Sequence, residues 1–471
     1  MFAEGMEKSM FEKIRHTQER GTLIMKYKNK IYQINIIRMS YPILLNYLLN
    51  TVFELLDKAI VGHYSVQGFA VVGIAASAIY AVTGALGILA SAFHILAAEE
   101  KGKQNDVRFE QIFRISKQLA LVIGVGFFLI SMWGGRFFFR TIYGLESEVL
   151  QELLSYFYPA AFTVVQNMLI FQYSVYFRNC LDTKITLYST VVSTGVNLFF
   201  DYSLVYGVNG LPKLGTAGAA WGSVIGLFAG LLVYQIAYAI KSGTMRKKFF
   251  VHLSPDIPIE NRWILKRICK LYPSLLGQEL LESTVFVMVV SGAVTRLGTE
   301  QMAVYNLLET VGSMVGLPVY AYAAAAQTLA LQKQSTGKKA EAKKYLENGV
   351  FLGFCTIFCL SILCGVFQNQ VFGWIVSDSQ IIEKAGKILW IIFVIQMMKV
   401  PYQILMNYLQ GIGKEQFVFL CTATGTVMAG GCVILLGNWL GLWGVYLAIL
   451  AETFVIAGIY VRTVKDMVLM D

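Results

Sequence analysis

The sequence predicts an all-α integral membrane protein, with twelve transmembrane helices in two pseudosymmetric six-helix lobes. Three observations carry that prediction: the composition, the spacing of the apolar runs and the placement of positive charge. Of 471 residues 56% are apolar and 14% charged, with a mean hydropathy of +0.58, which lies outside the range of soluble domains. Twelve runs approach the roughly 20 residues needed to cross a hydrocarbon layer. They are continuously apolar rather than alternating, which selects helices over a β-barrel, because lipid requires each segment to satisfy its own backbone. If both tails share one side, 30 of the 39 Lys and Arg fall on that side, 6 on the other and three within spans. The positive-inside rule then places both termini in the cytoplasm. One missed or invented span would scramble this asymmetry.

Residues 1–36 carry seven Lys and Arg and no continuous apolar core, so a solvated cytoplasmic tail is expected rather than a secretory signal. The first lobe, 37–240, holds spans Ile37–Val61, Ala70–Ala97, Leu119–Gly135, Leu153–Phe177, Ile185–Val205 and Thr216–Ile240. The loop 241–270, with eight basic residues, is the longest internal connection and reads as the cytoplasmic joint. The second lobe, 271–471, holds Leu271–Val294, Met302–Leu331, Val350–Phe367, Ile388–Leu409, Phe417–Leu436 and Leu442–Val461, then a short tail. "YPILL" at Tyr41 opens span one and "YPSLL" at Tyr272 opens span seven, 231 residues later. "LGTAG" at Leu214 and "LGLWG" at Leu440 open spans six and twelve at nearly the same offset, 226. Two such matches indicate a six-plus-six duplication about the membrane normal, an arrangement that usually places a substrate cavity between the halves.

Several charged residues fall inside these spans. Asp201 lies about 24 Å along span five at 1.5 Å per residue, and Asn197 precedes it by one turn on the same face. A carboxylate there costs a few kcal/mol unless it faces protein or water, and such residues usually serve function. A proton or sodium site is therefore the leading reading, with a packing hydrogen bond to Asn197 or interfacial solvation as the plainer alternative. Asp57 reaches a similar depth in span one, although Glu54 and Lys58 beside it are spaced to pair with each other. In the second half Glu279 and Glu282 fall in span seven, Glu309 in span eight and Glu452 in span twelve. Span ten carries Gln396, Lys399, Gln403, Asn407 and Gln410 in steps of three and four along one helix face, which should line protein or water. Lys399 either neutralises a glutamate or meets substrate. Met397, Met398, Met406 and Tyr402 read as packing.

Other classes are disfavoured. No GxxxxGK[ST] motif or soluble nucleotide-binding domain appears, so ATP is not the expected energy source. No Gly-x-Ser-x-Gly, HExxH, CxxC or histidine cluster suggests an enzyme or a metal centre. The basic excess of +10 follows membrane topology and does not form a nucleic-acid surface.

Pro42 early in span one, the "LLDKAIVG" that ends it, "NLFFDYSLVYG" in span five, "LGTAGAAWGS" opening span six and "LQGIGK" after span ten together resemble the multidrug and toxic compound extrusion (MATE) transporters. The likeness covers all twelve spans. It implies a V-shaped cavity between the lobes and export of small organic, often cationic, compounds in exchange for H⁺ or Na⁺, with no cofactor. A monomer in a cell (inner or plasma) membrane is expected. Asp57 matches the family's first-helix acid. Asn197 and Asp201 match a pair typical of its bacterial and archaeal DNA-damage-inducible branch, and Ser223 falls where that branch often has threonine. The resemblance thus implies cation coupling at Asp57, Asn197, Asp201 and Ser223, with Na⁺ as an option at Asp201 and Asn197. Glu282 matches a seventh-helix glutamate of other branches, and a second-lobe cation or substrate group of Glu282, Glu279, Glu309, Lys399, Gln403 and Asn407 follows. Lys58 and Lys399 depart from the family pattern and leave charged or zwitterionic metabolites open as substrates. A lipid-linked oligosaccharide or cell-wall precursor flippase of the same superfamily is the alternative, and an intramembrane enzyme is a more distant one.

Overall fold

The computed structural model describes residues 20–144, 147–241 and 262–469. Residues 1–19 of the expected tail, 242–261 of the expected joint and 470–471 lie outside the described residues. No strand occurs among the described residues.

The described residues run through fifteen α-helices and two π-helical turns. In the first half these are α1 (Arg20–Tyr64), α2 (Val66–Gly87), α3 (Leu89–Gly102), α4 (Asp106–Tyr143), α5 (Ser147–Asn179), α6 (Lys184–Tyr206) and α7 (Thr216–Lys241). The second half begins with α8 (Arg262–Leu280), which passes through a π turn at Leu281–Phe286 into α9 (Val287–Thr295). Then come α10 (Thr299–Gln334), α11 (Lys339–Val366), the short α12 (Gln368–Gly373) and α13 (Ser379–Leu409). A second π turn at Gln410–Lys414 leads to α14 (Glu415–Leu440) and α15 (Leu442–Leu469). The expected span two is not one helix. It divides at Ile88, where Phe171 packs so closely on Gly87 that a β-carbon there would stand 2.8 Å from its ring.

Nine helical stretches are long and apolar enough to cross a membrane among the described residues. One of them, Ser379–Leu440, has 62 residues and would measure about 93 Å as a straight helix. It folds back at Gly413, whose φ of 86° only glycine adopts easily, and so supplies two crossings. The more polar α1 and α6 complete the twelve.

Buried apolar side chains gather into two principal clusters, one built mainly from each half. The first helix of each half reaches across. Ile36 and Met39 of α1 join the second-half core, whereas Ile264, Ile268, Leu271 and Leu275 of α8 join the first-half core. Polar bonds tie the same end of the bundle. Gln332 donates to the Asn179 carbonyl at 2.8 Å, Asn179 meets His94 at 3.0 Å, and Arg267 pairs with Glu99 at 3.0 Å. Gly102 permits this approach, since a β-carbon there would stand 2.8 Å from Gln332 Cα. The halves are therefore joined at the end that carries the α3–α4 and α10–α11 turns, and the V opens the other way.

Candidate functional site

Asp201 sits on α6, and the sequence of α7 explains how a carboxylate can be wholly buried there. Gly218, Gly222, Gly226 and Gly230 recur every four residues, one turn apart, on the face of α7 that meets α6. β-Carbons at these glycines would stand 2.6 Å from Leu204 C, 2.7 Å from Asp201 N, 2.6 Å from Asn197 Cβ and 3.0 Å from Ser193 Cβ respectively. A stripe of small residues lets two membrane helices approach until backbone meets backbone. Asp201 is 0% exposed in the resulting seam. At the end of α6 the chain turns on Gly207, in the left-handed region at φ 72°, and its N–H caps the Ser203 carbonyl at 2.9 Å.

Asn197 Nδ2 donates to Asp201 Oδ2 at 2.8 Å and lies 3.3 Å from Ser223 Oγ, so the three expected residues from two helices form one network. Asp201 Oδ1 is buried and accepts nothing; Asp57 Oδ1 on α1 is in the same condition. The two carboxyls lie within hydrogen-bonding reach of each other. Two acids at that separation, shielded from water, repel strongly unless a proton or a small cation stands between them. Tyr156 of α5, 6% exposed, brings its hydroxyl within electrostatic reach of both. Lys58 lies within electrostatic reach of Asp57 but bonds elsewhere. It pairs with Glu54 at 2.7 Å, and both side chains are 42% exposed.

The second half gathers a separate group. Glu282 lies in the π turn, where Oε1 accepts from the Tyr402 hydroxyl, from Gln278 Nε2 at 3.2 Å and from Thr422 Oγ1 at 3.3 Å. Gln410 Nε2 in turn holds Gln278 Oε1 at 2.6 Å. Lys399 of α13 lies within electrostatic reach of Glu309 on α10 and Glu452 on α15, and Glu452 is also within reach of Glu282. Two acids thus flank one ammonium, and a third, Glu282, neighbours one of them. Of the other expected members, Glu279 lies within electrostatic reach of Glu282, whereas Gln403 and Asn407 bond to each other. Glu279 accepts from Ser283 at 2.7 Å, and Gln403 donates to Asn407 Oδ1 at 3.3 Å while Gln327 holds the Asn407 carbonyl at 2.8 Å. Gln396, on the same face, fills the space left by Gly312 and Gly316.

Tyr402, Thr422, Gln278 and Tyr156 are the residues that sequence reasoning did not place in a site. Tyr402 carried a readable signal, because it stands three residues after Lys399 on the polar face of α13. So did Gln278, one helical turn before Glu282, whereas Thr422 and Tyr156 become neighbours only through tertiary packing.

The MatE family model matches this chain twice, at residues 42–203 and 275–430, once in each half. The chain is 23% identical over 353 residues to the probable multidrug resistance protein YoeA of Bacillus subtilis, covering 74% of this chain and 75% of that protein. To the probable multidrug resistance protein NorM of Geobacillus kaustophilus it is 24% identical over 410 residues, 84% of this chain and 86% of the relative. Among solved structures, a MATE crystallised in complex with MaD3S superposes with a TM-score of 0.82 at 18% identity, covering 93% and 96% of the two chains. An outward-facing MATE family transporter of the MOP superfamily gives a TM-score of 0.80 at the same identity, covering 93% and 96%. With a family match that spans both halves and a twelve-helix fold shared along nearly the whole length, this multi-pass membrane protein belongs to the MatE family.

Proposed function

We propose that this chain is a secondary active multidrug exporter that exchanges small organic, often cationic, compounds for H⁺ or Na⁺ by alternating access of its two lobes. The observation that carries this reading is the Asp57–Asp201 pair, two buried carboxyls from different helices, each with an oxygen that accepts no hydrogen bond. The names of the relatives supply the substrate class.

In this reading both termini face the cytoplasm of a cell (inner or plasma) membrane, and the lobes are joined on that side. The structure then corresponds to an outward-facing state. A proton or Na⁺ entering between Asp57 and Asp201 cancels their repulsion and holds α1 against α6. Asn197 keeps Asp201 Oδ2 occupied, so Oδ1 remains the oxygen that receives the ion. Loss of the ion restores repulsion, and α1 transmits it. The helix carries Asp57 in the first lobe and, about 32 Å away at 1.5 Å per residue, Ile36 in the core of the second. In the second lobe, Glu282, Glu309 and Glu452 outnumber Lys399 and leave a net negative surface for an organic cation. One monovalent ion entering down 100 mV contributes about 2.3 kcal/mol, enough for a concentration ratio of roughly 50-fold of a substrate without net charge; exchange for a monovalent cation moves no net charge and draws on the ion's concentration gradient alone.

Dye efflux from proteoliposomes, with pH and sodium gradients imposed separately, tests the proposal. Efflux should follow one of the two gradients and disappear in Asp201→Asn at normal expression. Efflux indifferent to both gradients would reject it.

A further inference from the structure

Arg178 takes no part in either group of acids. It stands next to last in α5, and its position is fixed by what surrounds it. Asn179, 1% exposed, is held by His94 of α3 and by Gln332 of α10. The guanidinium is therefore delivered to the line where the first half meets α10. It lies within electrostatic reach of Tyr47 on α1, Tyr234 on α7 and His94. Tyr47 in turn is within reach of Tyr320 on α10, which is 48% exposed. Immediately toward the joined end, Ile43, Ala321 and Ala324 pack together and close the gap between α1 and α10. Arg178 thus lies at the inner end of the cleft, just above its floor.

The side chain has no partner suited to its charge. Its Nε is buried and makes no hydrogen bond, and the groups near it are phenols and an imidazole rather than carboxylates. Arg178 is half-buried, and a guanidinium partly withdrawn from water without a counter-ion is unfavourable. Arginines retained for packing alone usually satisfy the fork with a carboxylate or main-chain carbonyls. The planar guanidinium instead offers its donors to an anion, and a carboxylate is the group whose two oxygens match that fork.

We propose that Arg178 is an anion subsite at the inner end of the cleft, which receives a carboxylate or comparable anionic group of the transported molecule while Tyr47 and Tyr320 flank it. The favoured cargo is then amphoteric, with a cationic end for the acids of the lobes and an anionic end for Arg178. This assignment rests on the exporter reading for the word cargo, but not for the binding it describes.

Two probes that differ at one position separate these ideas: a rhodamine dye as its free carboxylic acid and the same dye as its methyl ester. Binding of each to the full-length protein in lipid nanodiscs is read by fluorescence polarisation. The wild type should bind the free acid about 10-fold more tightly than the ester, the size of one good charged contact. In Arg178→Gln the ratio of the two affinities should fall to about one. Arg178→Lys keeps the charge and loses the fork, so part of the preference should remain, and this variant serves if the glutamine form does not fold. Equal affinity of the wild type for acid and ester, or an undiminished preference in Arg178→Gln, overturns the subsite. Proteoliposome efflux of the ester reports on export separately. Ester efflux without any acid preference in binding leaves the exporter and removes the subsite, and an Arg178-dependent acid preference without gradient-driven efflux of either dye does the reverse.

Discussion

Gly222 lies directly against Asp201: a β-carbon on the glycine would stand 2.7 Å from the aspartate nitrogen and 2.8 Å from its carboxyl carbon. Neither backbone can yield without parting α6 from α7, so this glycine fixes where the buried carboxyl points.

Gly222→Ala should therefore act as a site mutation although it removes no polar group. Coupled efflux should drop at least about 10-fold, with a stability loss of about 1–3 kcal/mol from overpacking. Gly195→Ala on α6, where a β-carbon meets nothing within 4 Å, is the matched control and should keep full activity. Initial rates in proteoliposomes and thermal unfolding of the two proteins make the comparison.

Within the network, Asn197 and Ser223 should rank by their bonds. Asn197→Ala removes the 2.8 Å donor to Asp201 and leaves the carboxyl without its protein partner; a hydrogen bond to a charged group is worth about 1.5–3 kcal/mol, so the affinity for the coupling ion should change by roughly 10- to 100-fold. Ser223→Ala removes a 3.3 Å contact to Asn197 and should cost about 3-fold or less. Half-saturating ion concentrations for efflux give both values.

The second-lobe group should behave differently. Tyr402→Phe and Glu282→Gln are expected to raise the half-saturating concentration of an organic cation about 10-fold while efflux stays tied to the same ion gradient. Loss of gradient dependence in either variant would transfer coupling to the second lobe.

At the joined end, a pair and a glycine make opposite forecasts. Arg267 and Glu99 are 47% and 31% exposed, so their ion pair contributes only about 0–1 kcal/mol. Glu99→Gln should leave the seam closed. Gly102→Val places side-chain atoms where Gln332 and Ser335 stand and should hold the halves apart. Spin-label distances between the halves at this end should lengthen in Gly102→Val and stay the same in Glu99→Gln.

How much of this was legible beforehand follows from the range of each interaction. The spans could be read because apolar length and charge asymmetry are properties of the chain itself. Asn197 and Asp201 could be paired because four residues is one helical turn. Ser223 entered through the family resemblance, and the glycine stripe that brings it to Asn197 shows its purpose only once α6 and α7 are packed. The meeting of Asp57 with Asp201 joins residues 144 positions apart, and no periodicity encodes it. Tyr402 was read as packing because a lone aromatic on an apolar helix usually packs, yet here its hydroxyl faces Glu282. Gln403 and Asn407 share a face with Lys399 but bond to each other, since one face of a long helix spans several depths. The break at Ile88 and the π turn around Glu282 are local departures within runs that read as continuous. Arg178 counted in the sequence as one more basic residue at the end of a span; only the fold turns it inward.

The central claim is that the Asp57–Asp201 pair holds one exchangeable cation whose release is linked to substrate binding. Its most direct test is to add a fluorescent organic cation to the purified protein in weak buffer and record the protons or sodium ions released. The account predicts about one ion released per protein in the wild type and in Glu282→Gln, and none in Asp201→Asn. Undiminished release from Asp201→Asn, or release lost only in Glu282→Gln, would contradict it.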